Sequence, residues 1–149
     1  MRGLRGLRGN IALDSSVLIE YLMGTRTGEI LKEYFETLKP EEKVSCSLLT
    51  ISEVFYVLCR LRGEKFAEEK VNDILASRAL DICDSAEVAV KMGKIKCERG
   101  ISLADCSCIA VAEMTNAKAV FAKREKELAK EMEKKPFNVE IIFLQDLES

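Results

Sequence analysis

The sequence predicts an α/β domain, a three-layer structure in which a parallel sheet is flanked by helices. Two observations predict it. Short apolar runs alternate with segments of helical period along nearly the whole chain, and Gly, Asn or Pro falls where most helical segments stop. Strands separated by helices of this length cannot form hairpins, so they pair in parallel and are covered on both faces.

Met1–Gly9 repeats Arg-Gly-Leu, placing Arg2, Arg5 and Arg8 in a segment expected to be a basic tail, either a frayed end or an arm that touches phosphate. Residues 10–149 are expected to form one domain. Ile11–Leu13 reads as a first strand and Ser15–Met23 as a helix closed by Gly24. Gly28–Leu38 carries Ile30, Leu31, Tyr34, Phe35 and Leu38 at i, i+3, i+4 spacing, and Pro40 stops it. Val44–Leu48 reads as a strand, Ile51–Arg62 as an amphipathic helix ended by Gly63, and Lys65–Ala76 as another helix. Ala79–Cys83 is a third strand, followed by a helix over Ser85–Glu98 with Gly100 beyond it and a second over Ser102–Met114, ended near Asn116. Ala117–Ala122 is a fourth strand, Arg124–Glu133 a charged helix that ends before Pro136, and Val139–Leu144 the last strand.

A chain of 149 residues has the length of one domain and can bury roughly two thirds of the surface it exposes unfolded. With 48% hydrophobic and 32% charged residues it is not intrinsically disordered. A net charge of −2 gives no overall attraction for phosphate, so a nucleic-acid partner needs a local basic patch or a metal ion. The six cysteines (Cys46, Cys59, Cys83, Cys97, Cys106 and Cys108) lie in apolar segments with no CxxC pair and no His, and read as buried thiols rather than zinc ligands. No apolar run of about 18 residues suits a membrane span and no secretory signal is visible, so the expected localisation is cytoplasmic.

Three acids sit where an apolar run gives way to a helix start: Asp14, Glu53 and Asp105. Each has a local explanation. Asp14 fits a helix N-cap, and Thr50-Ile51-Ser52-Glu53 and Ser102-Leu103-Ala104-Asp105 both have capping-box spacing. All three are nevertheless expected at one rim of the sheet, beyond the carboxyl ends of the strands, where α/β folds bind ligands. Two carboxylates about 4 Å apart repel by about 4 kcal/mol at an effective dielectric near 20, a cost that a divalent cation removes. In a chain without His, hydrolytic chemistry falls to carboxylates and a hard metal ion with oxygen ligands.

The stretches Ala12-Leu13-Asp14-Ser15-Ser16-Val17-Leu18-Ile19-Glu20-Tyr21-Leu22, Ser52-Glu53-Val54, and Ile101-Ser102-Leu103-Ala104-Asp105-Cys106-Ser107-Cys108-Ile109-Ala110 resemble, in order, the motifs of the PIN domain nucleases, particularly the VapC-type toxin ribonucleases. The resemblance extends from Asn10 to Leu144. It implies a parallel sheet flanked by helices, endoribonuclease activity dependent on Mg2+ or Mn2+, a homodimer, an RNA substrate and an antitoxin protein as partner. Asp14, Glu53 and Asp105 match the first three acidic positions, with Ser15 or Ser16 as the hydroxyl beside the first.

The fourth motif departs from the family's Thr-x-Asp, because the chain reads Ala122-Lys123-Arg124-Glu125-Lys126-Glu127-Leu128. Direct alignment puts Arg124 at the acid, whereas a shift of one puts Glu125 there, with Glu127-Leu128 under the following Asp-Phe pair. Glu125 is the preferred fourth ligand, and a solvated helix start is its alternative. Arg60, Lys123, Arg124 and Lys126 are candidates for holding the RNA backbone. A phosphoryl-aspartate phosphatase would need an acid two residues after Asp14, where Ser16 stands. The competing reading is a catalytically weakened PIN-like module that binds RNA or protein.

Overall fold

The structure, a computed structural model, describes residues 6–148, so Arg2 and Arg5 lie outside the described residues. Every strand is followed by at least one helix before the next, as parallel pairing requires. The central strand β1 (Ile11–Leu13) has β2 (Val44–Ser47) and β3 (Asp81–Cys83) on one side and β4 (Lys118–Phe121) and β5 (Ile141–Phe143) on the other. All four neighbouring pairs are parallel, with Leu13 opposite Val120 and Phe121 opposite Phe143.

Alternation along the strands divides the core. On one face Ile11, Leu13, Val44, Cys46 and Val120 pack beneath α1 (Ser15–Leu22), α2 (Gly28–Glu36), α3 (Leu48–Arg62) and α4 (Glu64–Ala76). On the other, Ala12, Ala119, Phe121 and Phe143 pack beneath α5 (Ala86–Glu98), α6 (Leu103–Thr115) and α7 (Lys126–Lys134). Residues Cys106 to Ala112 of α6 are all buried, which is why this helix shows no polar stripe. A 3₁₀ turn, Leu144–Leu147, follows β5.

At Gly28 the backbones of α1 and α2 touch, and a Cβ there would stand 2.2 Å from the Glu20 carbonyl oxygen. The described part of the basic N-terminal segment packs against the domain: Leu7 is buried in the core, Gly9 N–H donates to Glu42 Oε2 (2.6 Å), and the Tyr34 hydroxyl donates to Gly9 O (2.6 Å).

The element order agrees with the expectation, and the boundaries shift for identifiable reasons. The helix expected from Ile51 begins at Leu48, because the Ser47 hydroxyl accepts from Thr50 N–H (3.2 Å) and caps it. The last helix begins at Lys126, not Arg124, with Glu125 as its N-cap. All six cysteines are free. Cys46, Cys106 and Cys108 are buried and Cys59 and Cys83 half-buried, but Cys97 is exposed, against the expectation of buried thiols, because it faces outward from α5. Among the described residues no helix is long and apolar enough to cross a membrane.

Candidate metal centre

Strand order reverses between β1 and β4, which opens a crevice at their carboxyl ends. Asp14 follows β1 directly, and its N–H donates to Val120 O of β4 (2.9 Å), so its carboxylate stands at the switch point. It also caps α1. Ser16 donates to its Oδ2 twice, from the backbone N–H (3.1 Å) and the hydroxyl (2.7 Å), which leaves Oδ1 for a ligand. The same Ser16 hydroxyl accepts from Ala122 N–H (3.1 Å), tying the first acid to the end of β4.

Asp105 enters from the first turn of α6. The Ser102 hydroxyl accepts from its N–H (3.1 Å) in the expected cap, and the side chain is buried. Glu125, at the N-cap of α7, makes no capping bond with its side chain and is exposed. One carboxylate oxygen each from Asp14, Asp105 and Glu125 lies within 4.8 Å of the others. The structure thus brings Glu125, and neither Arg124 nor Glu127, to the other acids.

Glu53 stands beside this group rather than inside it. Because α3 starts at Leu48, Glu53 falls in the second turn, and the expected Thr50–Glu53 capping box gives way to the Ser47 cap. Its Oε1 accepts a hydrogen bond from the Ser15 hydroxyl, and its charge reaches Asp14. The two hydroxyls after Asp14 therefore divide their work: Ser16 holds Asp14, and Ser15 holds Glu53.

The cluster's electrostatics follow from burial and crowding. Burial pushes the Asp14 carboxyl up to about 6; Ser16 opposes the shift, while the charges of Glu125 and Glu53 add to it. Burial, followed by the charges of Asp14 and the close-lying Glu125, raises Asp105 to about 8. The groups that shift these two acids are hydroxyls, an amide and other acids.

The basic candidates divide. The Arg124 guanidinium pairs with Asp146 (2.9 Å) and lies 4.6 Å above the Phe143 ring, so it is engaged on the far side of its loop. Arg60 lies 5.0 Å over the half-exposed Tyr56 ring, on the face of α3 that carries Glu53. Lys123 and Lys126 are exposed at the rim. Sequence reasoning passed over Gln145, whose side chain accepts from the Arg124 N–H. Its only signal was a polar residue just past the last strand.

A family model described as PIN domain matches residues 11–132. No match was found among curated proteins. The fold is similar to that of VapBC2 from Rickettsia felis bound to a promoter DNA fragment, at 16% identity and a TM-score of 0.67 over 90% of this chain and 98% of that one. It is likewise similar to DNA-bound VapBC from Salmonella typhimurium, at 16% identity and a TM-score of 0.66 over 92% and 99%. Mycobacterium tuberculosis VapC20, a toxin that cleaves the sarcin-ricin loop, gives 17% identity and a TM-score of 0.63 over 80% and 93%.

Proposed function

The chain belongs to the PIN domain family, and on that premise we propose that it is a Mg2+- or Mn2+-dependent endoribonuclease, the toxin half of a toxin–antitoxin pair. In this reading Asp14, Asp105 and Glu125 hold the ion, and Glu53 completes the acidic rim. The observation that carries it is the meeting of three carboxylates from three separate elements at the switch point of the sheet.

The donor set fits such an ion. All the donors are hard oxygens, which suit Mg2+ or Mn2+. The crowded carboxylates repel one another, and their burial and mutual charge push Asp105 upward; a divalent cation would relieve that repulsion. When bound, the ion supplies a water of lowered pKa and neutralises charge on the phosphate under attack.

The chain's own residues supply the rest. The two bonds from Ser16 fix the orientation of Asp14, and the Ser102 cap fixes that of Asp105. The Ser15 hydroxyl occupies one oxygen of Glu53, which leaves Oε2 to accept a proton or orient a water at the rim. With no His in the chain, proton transfer runs through carboxylates and water. Arg60, Lys123 and Lys126 hold phosphates of the RNA backbone without reading its sequence. The RNA-cleaving VapC20 supports RNA as the substrate class, and the VapBC complexes support an antitoxin partner. A homodimer belongs to the same reading.

The fourth acid separates this enzyme from a binding module. Glu125→Gln is expected to slow cleavage of single-stranded RNA by about 10-fold or more, the scale on which altered support of a metal site acts, while Glu127→Gln leaves the rate nearly unchanged. Damage from Glu127→Gln alone would move the fourth ligand. A wild type that cleaves no RNA at any Mn2+ concentration would favour the module.

A further inference from the structure

The loop that carries Glu125 runs from the end of β4 to the start of α7, and one residue of the C-terminal 3₁₀ turn holds it at two points. Gln145 N–H donates to Ala122 O (3.0 Å), and Gln145 Oε1 accepts from Arg124 N–H (2.5 Å). Both bonds lie beyond the last β4–β5 ladder pair, Phe121 and Phe143, where the chain has left the strands.

The Arg124 side chain closes the same contact from outside, with its guanidinium on Asp146 and over the Phe143 ring. On the inner side, Ala122 N–H donates to the Ser16 hydroxyl that holds Asp14. The backbone is therefore pinned on both sides of Lys123. Glu125 comes next, and no capping bond of its own side chain sets its direction.

We propose that Gln145 is a positioning residue for the metal site. By holding the Ala122 carbonyl and the Arg124 amide, it sets the backbone course that delivers Glu125 to Asp14 and Asp105, and the Arg124–Asp146 pair forms the outer half of the clamp. The inference rests on the reading of the acid cluster as a divalent-ion site. An exposed ion pair adds little stability by itself. Its effect here is geometric, since a metal ligand displaced by about 1 Å binds poorly. The arrangement also accounts for the irregular fourth motif: Arg124 occupies the position where direct alignment expects an acid, and the clamp turns its side chain away from the cluster.

The test is calorimetric titration of Mn2+ into the full chain without RNA. Gln145 is exposed, so Gln145→Ala is expected to leave the melting temperature of the metal-free protein unchanged while raising the Kd for Mn2+ about 10-fold, the scale of lost outer support for a metal ligand. Gln145→Glu, which keeps the acceptor oxygen, restores a Kd close to that of the wild type. The double variant Gln145→Ala, Glu125→Gln binds no more weakly than Glu125→Gln alone, because Gln145 acts through Glu125. If Glu125→Gln weakens Mn2+ binding and Gln145→Ala does not, the positioning role is overturned and the metal site stands. Additive losses in the double variant also overturn it. If Glu125→Gln leaves Mn2+ binding unchanged, the ligand assignment fails and the positioning role fails with it.

Discussion

The carboxylates of Asp105 and Glu125, one in the first turn of α6 and the other at the cap of α7, each place an oxygen within 4.8 Å of the other. Burial, then the charges of Asp14 and Glu125, raise the Asp105 carboxyl to about 8. In the absence of metal, both aspartates therefore hold a proton more readily than free carboxylates do.

This sets the pH dependence of stability. The ordinary value for both aspartates is 3.8, and the folded values are about 6 for Asp14 and about 8 for Asp105. A raised carboxyl pKa means that the folded state keeps a proton that the unfolded chain releases. The resulting stability is fully present below pH 3.8 and is lost as pH rises through 6 and then 8. In EDTA, Asp105→Asn should gain melting temperature relative to the wild type between about pH 6 and 9. Mn2+ at 100 times its Kd should add about 2.7 kcal/mol to the wild type, an increment that Asp14→Asn with Asp105→Asn abolishes. A difference between wild type and Asp105→Asn that is flat with pH would refute the coupling.

Gly28→Ala tests the α1–α2 contact. The added Cβ would meet the Glu20 carbonyl oxygen at 2.2 Å and Tyr21 Cα at 2.7 Å, both backbone atoms that cannot turn aside. The two helices must separate, at a cost of about 1–3 kcal/mol or more. Denaturant unfolding measures it, and a variant as stable as the wild type would show that the contact is looser.

Arg99 anchors the end of α7. Its Nη1 donates to Glu131 O (3.0 Å) and Lys135 O (2.6 Å), its Nη2 donates to Pro136 O (3.2 Å), and its guanidinium lies 4.0 Å over Phe137. Arg99→Ala should cost about 1–3 kcal/mol, since carbonyls at the end of the helix lose their donors. Arg99→Lys should recover only part, because an ammonium cannot reproduce the planar fork. Full recovery by Lys, read from the same unfolding curves, would reduce the role to charge. Burial pushes the nearby Glu131 carboxyl up, but the Gly100 amide, Lys134 and Arg99 overcome this and hold it below its usual value.

What was legible in the sequence follows the range of the interactions. Period and helix stops located the five strands and seven α-helices of the described residues, because Ile11-Ala12-Leu13 or Gly63 signals through neighbours alone, but not the 3₁₀ turn at Leu144–Leu147. Asp14 and Ser102–Asp105 read correctly as caps, and capping proved compatible with clustering, since Ser16 takes only Oδ2 of Asp14. The start of α3 was misread because Ser47 looked like the interior of a strand, and this displaced Glu53 by nearly a turn. The burial of Leu7 and the double hold of Gln145 on Ala122 and Arg124 connect elements that only the folded sheet brings together.

RNA cleavage by the wild type and by Asp14→Asn, followed on one labelled single strand in Mn2+ and again in excess EDTA, tests the central claim most directly. The wild type is expected to cleave in Mn2+ and not in EDTA, with a loss of at least about 100-fold in Asp14→Asn, because Asp14 holds the ion itself and the loss should reach at least the upper end of what outer supports of a metal site cost. Equal cleavage by the two proteins, or cleavage that persists in EDTA, would contradict a metal-run site at the carboxyl end of β1.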